Sequence, residues 1–133
     1  MNVRGADFVL FLVSDLSLAV AFYRDMLGVR CEIESLEHQW AEFDCGNLTL
    51  SLQGRALADG VRGGGRIALA VDDISAAYKE LTQKGVVLAS GPVDNGCCWH
   101  LEVPDPDGNV VILHQRSDGT CGQNLKPAQR SKG

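Results

Sequence analysis

The sequence lacks three features that would place it in a specialised class of protein. Its longest apolar run, Phe8 to Val13, has the length of a buried strand and falls far short of the roughly 20 residues of a membrane-spanning helix. It has no lysine or arginine cluster, and its formal net charge of −5 argues against binding to nucleic acid. Its five cysteines show no framework spacing, which is typical of free thiols in a reducing compartment.

What is present is the composition of one folded domain. Of the 133 residues, 45% are hydrophobic and 22% are charged, which suits a chain that buries a core and stays in water. Residues 1–7 contain one arginine and no apolar run, so we expect no secretory signal. We therefore expect a cytoplasmic protein with a single domain over residues 1–116 and a polar, disordered tail over residues 117–133.

An internal repeat organises the chain. At an offset of 58, Phe8 to Val20 aligns with Arg66 to Tyr78 and is identical at four positions. Further along, an offset of 62 aligns Gly46, Asn47 and Gln53 with Gly108, Asn109 and Gln115. The repeat predicts two copies of one module, at about residues 5–54 and 64–116, joined by a flexible linker from Gly54 to Gly65.

Each copy reads as a strand, a helix and three further strands. Ser14 and Asp15 are good N-caps, apolar residues then recur at helical spacing, and Gly28 suits a C-cap. The fold class is therefore α+β, with two tandem βαβββ modules. The first copy has predicted strands at Asp7–Val13, Val29–Ser35, His38–Asp44 and Leu48–Gln53, and a helix over Leu16–Leu27. The second has predicted strands at Arg66–Val71, Val86–Ala89, Cys98–Val103 and Asn109–Gln115, and a helix over Asp73–Lys84.

Three motifs now make a resemblance specific. They read VSDLSLAVAFYRDMLG, VDDISAAYKELTQKG and WHLEVPDPDGNVVILHQ, in that order. They resemble the vicinal oxygen chelate superfamily of glyoxalases, bleomycin resistance proteins and extradiol dioxygenases, across about residues 5–116. The resemblance implies two modules whose mixed sheets curl around a cavity, and chains that pair as homodimers.

The resemblance also implies where a catalytic metal would be held. Its ligands begin the first strand of each module and follow the glycine of the DPDGN-type turn by four residues. In this sequence those positions are Phe8, Arg66, Leu50 and Ile112. None of these side chains suits a hard divalent cation, so we expect no metal and no other cofactor.

Several other residues have alternative interpretations. His114 lies two residues beyond Ile112, and with Glu42 or Glu102 it could form a shifted metal site. Cys97 and Cys98 suit either a soft metal or arsenical, or simple burial as small hydrophobes.

Aromatic and cationic candidates follow. Trp40 and Trp99 suit stacking on a planar ligand or core packing. Arg66 needs either an anionic ligand group or an internal carboxylate partner.

These observations favour a binding protein over an enzyme. The first hypothesis is a metal-free protein of the bleomycin resistance type that sequesters a planar or aromatic compound, such as an antibiotic. Its predicted ligand-binding residues are Phe8, Trp40, Leu50, Arg66, Trp99, Ile112 and His114. The alternative is a glyoxalase-like lyase, isomerase or dioxygenase with an atypical manganese, iron, nickel or zinc site. A metal-independent enzyme that uses His114 or a cysteine ranks third. We expect neither nucleic acid nor a membrane as a partner.

Overall fold

The chain divides into two compact units, each with its own sheet. The computed structural model describes residue 2, residues 6–54 and residues 64–122. The first unit spans Met1–Gly65 and the second spans Arg66–Gly133, and we call them the first and second modules. Each contains a four-stranded mixed sheet and one helical segment, in the chain order strand, helix and three strands. The predicted α+β class and the repeated βαβββ pattern are confirmed.

The first module places its first strand beside its last. The sheet order is β1-β4-β3-β2, with β1 parallel to β4 and the other pairs antiparallel. Its elements are β1 (Phe8–Leu12), α1 (Leu16–Ala21), a π-helical turn (Phe22–Met26), β2 (Arg30–Ser35), β3 (Trp40–Asp44) and β4 (Thr49–Gln53).

The helix of the first module begins and ends where the sequence indicates, but it widens partway. Asp15 caps its N-terminus, and one carboxylate oxygen accepts a hydrogen bond from the Leu18 amide at 3.0 Å. The Leu27 amide then donates to the Phe22 carbonyl, five residues back, at 3.1 Å, which is the hydrogen bond of a π turn. Gly28 follows with φ of +72°. Tyr23, fully buried in this segment, packs against Phe43 of β3 with 5.6 Å between ring centroids.

The second module repeats this arrangement. Its sheet order is β5-β8-β7-β6, again with the first and last strands parallel. Asp73 caps its helix by accepting hydrogen bonds from the amides of Ser75 at 2.9 Å and Ala76 at 3.1 Å. The elements are β5 (Arg66–Ala70), α2 (Ile74–Gln83), β6 (Ser90–Asp94), β7 (Cys98–Pro104) and β8 (Val110–Arg116).

One predicted strand is wrong. The second strand of this module lies at Ser90–Asp94 and not at Val86–Ala89. A Gly91–Pro92 pair usually marks a turn, but β6 is the edge strand of its sheet, where a residue without an amide hydrogen is tolerated. Gly91 has φ of +98°, and a Cβ there would lie 2.7 Å from the Cβ of Leu101. Glycine is therefore required at this point, where β6 lies next to β7.

Two predicted segments lie largely outside the described residues. Residues 55–63 of the predicted linker and residues 123–133 of the predicted tail are not described. Between Ser117 and Gly122 the chain forms a turn in which Asp118 accepts hydrogen bonds from the amide and the hydroxyl of Thr120. Among the described residues, no helix has both the length and the apolar character needed to cross a membrane.

The capping role of Asp73 gives a stability prediction. Asp73→Ala removes the acceptor for two amides at the start of α2, and we expect it to lower the free energy of unfolding by about 1 kcal/mol. Asp73→Asn keeps an acceptor oxygen and should lose less than half of that. Urea denaturation followed by circular dichroism measures both variants. An equal loss in the two variants would mean that charge, and not the cap, stabilises this end of the helix.

Candidate functional site

In the first module the helix packs on one face of the sheet, and the opposite face carries a different set of side chains. Ala41, Phe43, Leu50 and Leu52 are fully buried, and the contact of Phe43 with Tyr23 places this set on the helix side. Successive side chains of a strand point to opposite faces. We call the other face the first open face, and it includes Phe8, Leu10, Leu12, Trp40, Glu42, Asp44, Ser51 and Gln53.

The first open face joins an aromatic pair to a carboxylate. The rings of Phe8 and Trp40 meet edge to face, with 6.2 Å between centroids and an interplanar angle of 84°. The indole nitrogen of Trp40 donates a hydrogen bond to Oε2 of Glu42 at 2.8 Å. Phe8 is 52% exposed and Leu10 is 40% exposed, so the face presents apolar surface. The structure thus brings together two of the predicted site residues, Phe8 and Trp40.

The second module has a corresponding face with different chemistry. Leu101, Val103 and Val111 are fully buried, and the Gln115 side chain accepts a hydrogen bond from the first amide of α2, so this set lies on the helix side. The second open face, on the opposite side, includes Arg66, Ala68, Ala70, His100, Glu102, Ile112, His114 and Arg116.

An ion pair dominates the second open face. Nη2 of Arg66 donates to Oε1 of Glu102 at 2.9 Å, with the two side chains 54% and 25% exposed. The structure therefore supplies an internal partner for Arg66, one of its two predicted alternatives. Such an exposed pair contributes at most about 1 kcal/mol to stability, so stability alone is a weak reason for its presence. His100 lies opposite His114 in the register of β7 and β8. Its Nδ1 lies 2.7 Å from the side-chain nitrogen Nδ2 of Asn95.

The predicted equivalence of Leu50 and Ile112 needs a correction. Leu50 is fully buried on the helix side, whereas Ile112 lies on the second open face. The turn of the second module contains one more residue, because Cys45 bonds to Leu48 where Asp105 bonds to Asn109. The strands therefore align at an offset of 61, and Ser51 is the true counterpart of Ile112.

The sequence contained a signal that would have identified Ser51. Matching the shared Gly-Asn of the two turns gave the wrong offset, because the inserted residue lies within the turn. Matching the buried apolar alternation instead, Leu50 and Leu52 with Val111 and Leu113, gives the right one. Ser51 is only 1% exposed, and its hydroxyl has no hydrogen-bond partner among the described residues.

Trp99 also lies away from the face where it was expected. It precedes Leu101 and Val103 by two and four residues and pairs with Gln115, which places it on the helix side of the second module. Leu50 and Trp99 are thus absent from the open faces of their modules, while Phe8, Trp40, Arg66, Ile112 and His114 are on them. Ligand binding by these five residues stays a prediction.

The positions that hold a metal in the resembled family do not fit one here. With the corrected register they are Phe8, Ser51, Arg66 and Ile112, which offer one weak hydroxyl donor and no imidazole or carboxylate. Within residues 6–54 and 64–122, no three His, Cys, Asp or Glu side chains form a group that could hold a metal ion. Glu102, a candidate for a shifted site, instead binds the guanidinium of Arg66.

The adjacent cysteines do not have the electrostatic setting of reactive thiols. The sulfur atoms of Cys97 and Cys98 lie 3.8 Å apart, and both residues are free thiols. Partial burial raises the pKa of Cys98, and the neighbouring Cys97 raises it further. A reactive or metal-binding thiol requires a lowered pKa. The structure therefore favours the protonated form of the Cys98 thiol.

Known proteins share both the sequence pattern and the fold of this chain. The model of the Glyoxalase/Bleomycin resistance protein/Dioxygenase superfamily matches residues 5–113. The uncharacterized protein YraH of Bacillus subtilis (strain 168) is 28% identical over 119 residues, which cover 78% of this chain and 92% of YraH.

Two solved structures show the range of this similarity. TnmS3, an antibiotic binding protein from Streptomyces sp. CB03234, is 25% identical with a TM-score of 0.71, over 87% of this chain and all (100%) of TnmS3. A lactoylglutathione lyase from Agrobacterium tumefaciens is 24% identical with a TM-score of 0.69, over 86% of this chain and 95% of the lyase. The fold therefore occurs in both a binding protein and an enzyme, and the site must decide between them.

The corrected register gives a prediction for two adjacent residues of β4. Leu50→Ala opens a cavity in the core and should lower the free energy of unfolding by about 2–5 kcal/mol. Ser51→Ala removes a buried hydroxyl that has no described partner, so stability should be unchanged or rise by about 1 kcal/mol. Chemical denaturation measures both variants. If Ser51→Ala lowered the free energy of unfolding and Leu50→Ala did not, the offset of 62 would be right and the corrected register wrong.

Proposed function

The chain belongs to the Glyoxalase/Bleomycin resistance protein/Dioxygenase superfamily, and from that premise we propose that it is a metal-free protein that binds a small planar or aromatic compound, such as an antibiotic. The observation that carries this proposal is the donor chemistry of the four metal positions, which hold Phe8, Ser51, Arg66 and Ile112. Family enzymes need a metal that polarises substrate oxygens. Because these four side chains cannot hold that metal, the open faces can bind a ligand but lack the group that would activate it.

The first open face supports an aromatic ligand. Phe8, Leu10 and Trp40 present apolar surface next to one another, and burying such surface is worth about 25 cal/mol per Å². A flat ring can stack on the indole of Trp40, which its hydrogen bond to Glu42 holds in one orientation. The similarity to TnmS3, whose name describes antibiotic binding, supports the same class of ligand.

The proposal extends to assembly and location. We place the protein in the cytoplasm, where its five free thiols would stay reduced. We also propose that two chains form a homodimer, because a second chain, like a ligand, could cover exposed apolar residues such as Leu10 and Ile33. Resistance by sequestration, drug transport and ligand sensing are all compatible uses of such a dimer.

The alternative, an enzyme with an atypical metal, has less support. It requires Glu42 or Glu102 as a carboxylate ligand beside His100 or His114. Glu42 already accepts from the indole of Trp40, and Glu102 already binds Arg66. Recruiting either carboxylate to a metal would break these contacts, so no specific observation favours this function.

Tryptophan fluorescence tests the proposed function, because the chain has two tryptophans on different kinds of surface. Trp99→Phe leaves only Trp40, on the first open face, and Trp40→Phe leaves only Trp99, on a helix side. The probe is anthraquinone-2-carboxamide, a planar neutral quinone that quenches indole on contact. We expect saturable quenching in Trp99→Phe and little in Trp40→Phe.

A binding measurement completes this test. Calorimetric titration with the same probe should give a dissociation constant in Trp40→Ala at least about tenfold weaker than in the unmodified chain, since aromatic anchors dominate binding surfaces. Val87→Ala, at a residue that is 77% exposed outside both open faces, is the control and should bind like the unmodified chain. The absence of quenching and of heat with the probe and with a panel of planar antibiotics would contradict the proposal.

A further inference from the structure

The two open faces follow one template with different side chains. Register matches Phe8 with Arg66, Leu10 with Ala68, Trp40 with His100, Glu42 with Glu102 and Ser51 with Ile112. The carboxylate is common to both faces, but its partner differs. In the first module it binds an indole N–H, and in the second it binds a guanidinium. At the position where the first face has Phe8, the second face therefore has a permanent cation, Arg66.

We propose that the second open face by itself binds the carboxylate of a planar aromatic acid through the guanidinium of Arg66. This inference rests on the proposed function and adds the chemical class of the ligand, an aromatic acid. Arg66 directs Nη2 to Glu102, and a guanidinium has five N–H donors in a planar fork. With its side chain 54% exposed, the remaining donors are accessible to two ligand oxygens.

Glu102 acts as a positioning residue in this arrangement. Its side chain is 25% exposed, half as much as that of Arg66, and it anchors one end of the guanidinium at 2.9 Å. An arginine on an exposed strand end otherwise samples many rotamers, and fixing it beforehand reduces the entropy lost on binding. The ion pair thus holds the fork ready for an oxygen pair.

The strand that carries Arg66 also leaves room for a ligand. Ala68 and Ala70 follow Arg66 on the same face of β5, and both are exposed. The corresponding residues of the first module, Leu10 and Leu12, have much larger side chains. A ligand group can therefore lie along β5 next to the guanidinium without displacing a side chain.

Charge complementarity selects an anion for this face. Among the described residues, the second open face carries Arg66 and Arg116 against Glu102, and Asp118 lies close enough to Arg116 to interact with it, so these charges about balance. The first open face instead carries Glu42 and Asp44, with Arg30 paired across from Asp44. Of the two faces, the second is thus the one where a carboxylate gains most from electrostatics.

Three probes with the same ring separate charge from stacking. Anthraquinone-2-carboxylate, anthraquinone-2-carboxamide and 2-(aminomethyl)anthraquinone are negative, neutral and positive at pH 7.5. Isothermal titration of the full chain with each gives three dissociation constants. We expect the carboxylate to bind at least tenfold tighter than the carboxamide, and the amine to bind more weakly than either.

Variants of the ion pair then assign that preference to Arg66. Arg66→Gln should abolish the tenfold preference, measured as the ratio of the carboxylate and carboxamide dissociation constants of that variant. Arg66→Lys, which keeps the charge but not the fork, should retain only part of the preference. Glu102→Gln keeps an oxygen that accepts from Nη2, so the guanidinium stays positioned, and it removes a competing negative charge; it should therefore keep or increase the preference. Lys84→Gln, which removes a positive charge from the end of α2, is the control and should keep the full preference.

The outcomes distinguish this inference from the proposed function. If the carboxamide binds and the carboxylate binds no tighter, or Arg66→Gln keeps the preference, the assignment to Arg66 is overturned while planar-ligand binding stands. If Arg66→Gln and Lys84→Gln lost the preference equally, the net charge of the protein would explain the preference, and the assignment to Arg66 would also be overturned. If none of the three probes binds, the proposed function fails and this inference fails with it. Circular dichroism confirms that each variant is folded.

Discussion

The packing of one helix against one face of each four-stranded sheet is the constraint on which the rest of the structure depends. It commits every second residue of each central strand to the core, where Phe43 meets Tyr23 in the first module. The residues between them must then lie on the opposite face. Any chemistry in a module is therefore limited to those alternate positions, and a shift of one residue exchanges core for site.

This constraint explains how two copies of one module acquired different surfaces. The core positions stay apolar in both copies, because burial allows little else. The open-face positions are free of that demand, and they hold Phe8, Leu10 and Trp40 in one copy and Arg66, Ala68 and His100 in the other. Glu42 and Glu102 occupy the same position but serve different partners.

The sequence predicts most of the fold, because the fold depends on local signals and periodicity. The cap at Asp15 and the two helices are where they were expected. The error at β6 has a tertiary cause, since a Gly-Pro pair is acceptable only because that strand lies at an edge. The π turn after α1 is a local feature, in which the Leu27 amide donates to the Phe22 carbonyl five residues back, and the periodicity of the apolar residues does not predict it.

The site was less predictable, because it depends on register to within one residue. The extra residue in the turn at Asp105 to Asn109 moved the predicted site from Ser51 to Leu50. Residue type left Trp99 open to ligand stacking or core packing, and alternation from Leu101 places it on the helix side. Pairing across strands, such as that of Arg66 with Glu102 at a separation of 36 residues, is determined only by the fold.

The central claim is that side chains unsuited to metal have turned a metal-binding fold into a ligand-binding one. Elemental mass spectrometry tests it most directly, on untagged protein incubated with manganese, iron, nickel and zinc and then desalted. We predict that each metal is retained at less than about a tenth of an equivalent per chain, since a tight site needs several convergent donors. Retention near one equivalent, lost in His114→Ala, would contradict the account and identify the protein as a metalloprotein.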